Sequence, residues 1–195
     1  ARLVFDREGM IFLAIGVPIP PRARAGFAQP LDAQNPDSLW GKILRITDEG
    51  KPAPGNPFAG RVGYRPELYA LGIRNAMGLA IHPQTGELWE NENGPMGGDE
   101  INIVTPGRNF GWPVVSYGRA YSGDLVGDSS GPTTAEHSAP GMEEPFMFWV
   151  PSIAISGMVF YTGDQFEAWK GNIFVGGRRG TQLQRVGLNA KGLPI

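Results

Sequence analysis

One arrangement recurs three times along the chain and leaves few folds open: an apolar strand, a polar turn containing Gly, a second apolar strand, then Gly. It runs over Leu3-Val4-Phe5-Asp6-Arg7-Glu8-Gly9-Met10-Ile11-Phe12-Leu13-Ala14-Ile15-Gly16 and again over Gly78-Leu79-Ala80-Ile81-His82-Pro83-Gln84-Thr85-Gly86-Glu87-Leu88-Trp89. With a longer connection it returns from Met158-Val159-Phe160-Tyr161 to Trp169-Lys170-Gly171-Asn172-Ile173-Phe174-Val175-Gly176-Gly177. Each copy reads as a β-hairpin by its turn chemistry and its β-branched and aromatic content. A further short strand and polar turn follow every hairpin: Lys42-Ile43-Leu44-Arg45-Ile46 before Asp48-Glu49-Gly50, Glu100-Ile101-Asn102-Ile103-Val104 before Pro106-Gly107, and Gln182-Leu183-Gln184-Arg185-Val186 before Asn189-Ala190-Lys191-Gly192. Glu67-Leu68-Tyr69-Ala70-Leu71 and Phe146-Met147-Phe148-Trp149 are expected to be innermost strands. A helical fold fails on composition, because 47 of the 195 residues are Gly or Pro and each breaks or weakens a helix. The same count verges on that of low-complexity chains, but 41% hydrophobic residues supply enough apolar surface to offset the entropy of ordering.

Four-stranded antiparallel units repeated along a chain define an all-β fold of the β-propeller type. A generic sandwich of hairpins has the same composition; the shared strand order of the three units favours the propeller. Their spacing is 76 residues from Leu3 to Leu79 and 79 from Leu79 to Met158, where a compact blade takes about 40 to 50. The surplus lies in the Pro/Gly-rich stretches Val17 to Leu39 and Trp112 to Pro145, and long loops on a rigid scaffold are where binding surfaces sit. Propellers close with about four to eight blades. The expectation is therefore a single partial propeller domain over residues 1–195, about three to four blades, truncated at both ends.

Charge and residue usage exclude several partners. Seventeen basic residues against nineteen acidic, with no basic block, leave no footprint for nucleic acid or anionic lipid. No apolar run approaches the roughly 20 residues of a membrane span. The absence of Cys excludes disulfides, thiolate zinc sites and a Cys nucleophile. The chain begins at Ala1, without Met or a signal peptide, and is read as processed or truncated.

Three segments carry the polar chemistry. Trp89-Glu90-Asn91-Glu92-Asn93-Gly94-Pro95-Met96-Gly97-Gly98-Asp99-Glu100-Ile101-Asn102 places four carboxylates around a Gly-rich loop with exposed carbonyls, a set suited to a hard cation such as calcium. The other reading of these acids is a solvated hairpin loop. Gly72-Ile73-Arg74-Asn75-Ala76-Met77-Gly78 sets Arg and Asn between glycines, where the guanidinium either reaches an anionic ligand or bonds loop carbonyls. Gly176-Gly177-Arg178-Arg179-Gly180-Thr181 repeats that logic at another strand end. The Trp40-Gly41 and Gly111-Trp112 pairs read as blade packing rather than substrate stacking. His82 and His137 are isolated in turn-like sequence, and no metalloprotease or nucleophile-elbow motif occurs.

At these residues the chain resembles the soluble quinoprotein sugar dehydrogenases, the glucose/sorbosone and aldose sugar dehydrogenases that use pyrroloquinoline quinone on a six-bladed propeller. The resemblance runs through Ser38–Ile46, Asn56–Phe58, Gly72–Ala80, Glu92–Asn102, Gly107–Pro113 and Pro151–Met158. It implies that Arg74 and Asn75 bind the reactive carbonyl region of the quinone, Arg74 stabilising the negative charge that develops there. It implies that the Gly94 and Pro95 carbonyls hold a catalytic calcium, and that Glu100 with the Phe110 carbonyl holds a second, structural calcium. Arg179, and with it Arg178, would neutralise the cofactor's carboxylates. The implied reaction is oxidation of an aldose at C1 to the lactone, hydride passing to the quinone while a His takes the hydroxyl proton, with electrons leaving to an external acceptor. A periplasmic or secreted location is implied too. A non-catalytic propeller that binds carbohydrate or protein is the alternative.

The chain also departs from that family. The general-base His is expected just before the Leu3 strand, outside this sequence, so the 195-residue chain alone is expected not to turn over sugar. Ile15-Gly16-Val17-Pro18 stands where relatives have Gly-Asp and a polar residue. Met77 replaces a frequent Gln, and Asn93 a frequent His or Gln.

Overall fold

The computed structural model describes residues 1–17, 30–126, 137–189, 192 and 194–195. Strands β1 (Arg2–Phe5), β2 (Ile11–Ile15), β3 (Lys42–Ile46) and β4 (Leu68–Leu71) form one sheet in that order. Strands β5 (Ala76–Ile81), β6 (Leu88–Glu92), β7 (Asp99–Val104) and β8 (Met147–Trp149) form a second. A third holds β9 (Ile155–Phe160), β10 (Ile173–Gly177) and β11 (Gln182–Val186). Every neighbouring pair is antiparallel, so each sheet is a meander. The three hairpins anticipated from the repeat are β1-β2, β5-β6 and β9-β10, and the strand after each is β3, β7 or β11. The long stretches Val17 to Leu39 and Trp112 to Pro145, and the turn Asn189 to Gly192, fall partly outside the described residues.

Alternation along β2 shows how the sheets stack. Phe12 and Ala14 point to one face and join Ile43, Ala70, Ala76, Leu88 and Val104 between the first and second sheets. Leu13 and Ile15 point to the other and pack with Leu44, Phe58, Leu68 and Tyr64, the last from the segment that follows β3. A second interlayer core joins Ala80, Trp89 and Ile101 of the second sheet to Ile155, Phe160, Ile173, Val175 and Val186 of the third. The middle sheet is thus covered on both faces, as a propeller blade is.

Successive sheets approach one another through their first strands, with β5 lying against both β1 and β9. The approach is closest at Gly78, where a Cβ would lie 2.7 Å from the Met158 amide nitrogen. This corrects the expectation for Glu67–Leu71 and Phe146–Trp149: β4 and β8 are the last strands of their sheets, at the edge away from that convergence. Their apolar character has another origin for β4. The chain after β7 folds back over that edge, with the Leu71 amide donating to Arg108 O and the Phe110 amide to Leu71 O, so Leu68 and Ala70 are buried without being central.

Candidate functional site

The β5-β6 ladder reaches its end at the pair Ala76 and Glu92. Beyond it the amides of Arg74 and Asn75 have no strand to bond, and the Glu92 side chain takes that place: Oε2 accepts from the Arg74 N–H at 2.5 Å and from the Asn75 N–H at 2.8 Å. The two carbonyls are held as well, Arg74 O by the Val17 amide and Asn75 O by the Asn93 amide. Arg74 itself is buried. Its Nη1 donates to Asn93 O at 2.7 Å and Gly94 O at 3.1 Å, its guanidinium carbon sits 5.1 Å from the Trp112 ring centre, and its buried Nε has no acceptor. Arg74 therefore bonds loop carbonyls and still keeps donor capacity. Trp112, expected in blade packing, packs with Val17, Ala33 and Val126 and also lies against this guanidinium, while Trp40 is 43% exposed and belongs to no core cluster of the described residues.

The loop after β6 is tied down from the third sheet's side. Gly94 has no room for a side chain, since a Cβ there would lie 2.0 Å from Gly97 O. Its amide donates to Asp99 Oδ1, which with Oδ2 also accepts from Ser152 Oγ, and Oδ2 takes the Ile155 amide at 3.0 Å. Asn93 Nδ2 donates to Ile155 O at 2.8 Å. One fully buried carboxylate thus fixes the Gly94 loop against the segment that enters β9.

These loops enclose a pocket of about 430 Å³, in the range of small-molecule sites. Arg74, Asn75, Gly94, Pro95 and Arg178 all line it. Arg179 does not: both arginines are exposed in the turn after β10, their amides bonded to Ala154 O and Ile153 O, and the pocket is reached by the first of them. Val17 and Asn93, both at positions that depart from the family, line it too, and Tyr121, Ser152 and Ala154 complete the lining. Ala154 has a positive φ of 51°, unusual for a residue with a side chain; nothing in the sequence announces it. The guanidiniums of Arg74 and Arg178, facing no carboxylate among the lining residues, make this pocket suited to an anion.

A second, much smaller cavity of about 20 Å³ lies behind Arg74 and has room for about one water or ion. Glu92, Glu100 and Phe110 line it together with Trp112 and Tyr117, so Glu100 and Phe110 share its wall. The reading of this segment as a solvated loop is overturned: Glu90, Glu92 and Asp99 are buried. Burial pushes the Glu92 carboxyl up to about 7, against the opposing pull of its two amide donors and Arg74. Burial, with the neighbouring Glu92 charge, raises Glu90 and Glu100 well above the usual carboxylate range. Asn102 Nδ2 bridges Glu90 at 2.6 Å and Glu100 at 3.0 Å, and Glu92 and Glu100 share a hydrogen bond. Among the described residues no group of three or more His, Cys, Asp or Glu side chains is arranged to hold a metal ion, so a cation here would draw on backbone oxygens.

The sequence points to Glu92 only as one of the carboxylates around the Gly-rich loop, not as a partner of Arg74 and Asn75. Its position two residues before Gly94 was visible; that it bonds the amides of Arg74 and Asn75 was not.

The Glucose / Sorbosone dehydrogenase family matches residues 1–193. The chain is 42% identical over 175 residues to the aldose sugar dehydrogenase YliI of Escherichia coli, covering 90% of this chain and 43% of that protein. A crystal structure of a glucose dehydrogenase superposes with a TM-score of 0.87 at 41% identity, over 98% of this chain and 51% of the other. The PQQ-bound form of an aldose sugar dehydrogenase from Streptomyces coelicolor superposes with a TM-score of 0.69 at 28% identity, over 99% and 46%. The chain spans about half the length of these relatives. It belongs to the glucose/sorbosone dehydrogenase family.

Proposed function

We propose that residues 1–195 are the central part of a single six-bladed propeller domain, truncated at both ends, whose parent protein oxidises aldose sugars at C1 to lactones. The observation that carries this reading is the convergence of Arg74, Asn75, Gly94, Pro95 and Arg178 on one pocket of about 430 Å³. The residues fit a planar, multiply anionic quinone: two guanidiniums line the pocket, and Arg74 Nε is a buried donor in want of an acceptor. They also fit a calcium ion beside it. Gly94 O accepts from Arg74 at 3.1 Å and retains a second lone pair, and the Pro95 peptide adjoins it at the same pocket. Glu100 and the Phe110 carbonyl would hold a second calcium at the small cavity.

Pyrroloquinoline quinone, when bound, supplies the two-electron acceptor for the sugar's hydride, with calcium as the Lewis acid at its carbonyls. Arg74 stabilises negative charge at the pocket wall, Asn75 offers an amide donor beside it, and Arg178 offsets carboxylate charge. No histidine lines the large pocket among the described residues, so the proton acceptor is assigned outside them, with a periplasmic or secreted setting and an external electron acceptor following from the same resemblance. The alternative reading is a propeller that binds carbohydrate or protein without turnover.

The full-length parent, loaded with calcium and pyrroloquinoline quinone, is expected to reduce an artificial dye when given aldoses, and Arg74→Ala to lower kcat by about 100-fold. Failure to bind quinone and to reduce dye overturns the proposal. Quinone bound with no turnover of any aldose supports the non-catalytic reading.

A further inference from the structure

The guanidinium of Arg74 is nearly buried, yet among the described residues no carboxylate forms an ion pair with it. The Glu92 carboxyl spends its Oε2 on the main chain of Arg74 and Asn75 and takes none of the arginine's side-chain donors, of which Nη1 is bonded to the Asn93 and Gly94 carbonyls. Side-chain pairing would fill the guanidinium fork and compete with a ligand. Pairing through the backbone offsets the charge and keeps the fork open. It also bonds the two residues just beyond the end of the β5-β6 ladder, whose last pair is Ala76 opposite Glu92. The same carboxyl group shares a hydrogen bond with Glu100 at the wall of the small cavity, which connects that wall to the large pocket through one side chain.

We infer that Glu92 is a positioning residue: its carboxylate, by accepting the consecutive amide bonds of Arg74 and Asn75, holds the pair in the geometry that receives the anionic cofactor. The inference rests on the quinone reading of the pocket. A carboxylate that bonds backbone amides acts on quinone affinity only through Arg74 and Asn75, whereas a carboxylate that merely supports the fold lowers stability whatever residue stands at position 74.

The test is a mutant cycle in the full-length parent with calcium present, reading the affinity for pyrroloquinoline quinone by calorimetry and the absorption spectrum of the bound quinone. Glu92→Gln keeps the shape and one acceptor oxygen but loses the charge; it is expected to weaken quinone binding by about tenfold and to shift the bound spectrum. Glu92→Asp, which keeps the charge on a shorter arm, is expected to recover part of the loss. In an Arg74→Ala/Asn75→Ala background, where neither side chain is left to be positioned, Glu92→Gln is expected to change the remaining affinity by less than about twofold, the non-additivity that marks residues acting as one unit. Equal losses from Glu92→Gln in both backgrounds, or wild-type affinity in the single variant, overturns the inference. The underlying quinone reading fails separately, if the unmutated protein binds no quinone or if Arg74→Ala leaves the affinity unchanged.

Discussion

Strands β6 and β11 are each five residues long, and each carries three polar residues, yet they sit in opposite surroundings. Leu88-Trp89-Glu90-Asn91-Glu92 is buried at every position, while Gln182-Leu183-Gln184-Arg185-Val186 alternates, with Leu183 69% exposed and Val186 buried. The difference lies in the number of covered faces. β6 runs through the middle of a sheet packed on both sides, so its alternation serves two cores, Leu88 toward the first sheet and Trp89 toward the third. β11 meets a neighbouring sheet on one face only.

What the comparison teaches concerns polar burial. Glu90, Asn91 and Glu92 each have a partner inside, fixed by the ladder or by a loop: Asn102 for Glu90, the Ser156 carbonyl for Asn91, the Arg74 and Asn75 amides for Glu92; among the described residues Glu90 Oε2 and Asn91 Oδ1 have none. In β11 the polar residues bond at the surface, where water is also available: Gln182 Nε2 to Arg179 O at 3.0 Å, Gln184 Nε2 to Gln182 Oε1 at 2.8 Å, and Arg185, whose guanidinium carbon lies 5.8 Å from the Trp169 ring centre, to Asn172 Oδ1 at 3.4 Å.

Four substitutions break or sharpen this contrast, all read as unfolding free energies from urea titration. Trp89→Ala empties a site between the second and third sheets and is expected to cost about 3 to 5 kcal/mol; a loss below about 1 kcal/mol breaks the claim of a doubly packed middle sheet. Lys42→Met comes next. Lys42 is fully buried in β3 and its Nζ donates to Asp32 O, Ala33 O and Trp40 O, so the variant strands three carbonyls, at a cost of about 2 to 4 kcal/mol. Asp99→Asn keeps the volume of Asp99 but turns one acceptor oxygen into a donor facing other donors, with an expected loss of about 2 kcal/mol and looser attachment of the Gly94 loop, seen as faster amide exchange at Gly94. Leu183→Ser is expected to change the 195-residue chain by less than about 0.5 kcal/mol. A markedly larger loss for the same substitution in the longer parent protein identifies the exposed face of β11 as one that a further blade covers.

Much of the fold was legible because strand signals are local. The alternation in Ile11-Phe12-Leu13-Ala14-Ile15, the turn at Asp6 to Gly9 and the Gly-containing hairpins are set by residues a few positions apart. The edge to which β4 and β8 belong was misread because it depends on which strands of separate sheets converge, and the residues that decide it, Gly78 and Met158, are 80 positions apart. In the site, the motif Gly94-Pro95 and the pair Arg74-Asn75 stood out in the sequence, and the fold brings them to one pocket. The acids between them did not declare their roles: a Glu in solvent, a Glu on a backbone amide and a Glu on an Asn are the same letter.

The sequence by itself determined the three strand-turn-strand units, their order, and the segments that carry polar chemistry, because backbone preference and side-chain alternation act over a turn or a strand. Only the tertiary structure decided that β5 lies between β1 and β9, that Arg178 and not Arg179 reaches the pocket, and that Glu92 secures Arg74 through its amide. Those outcomes turn on where the ends of one sheet fall against the next, and the energy that fixes them comes from burial and from satisfying polar groups across long sequence separations.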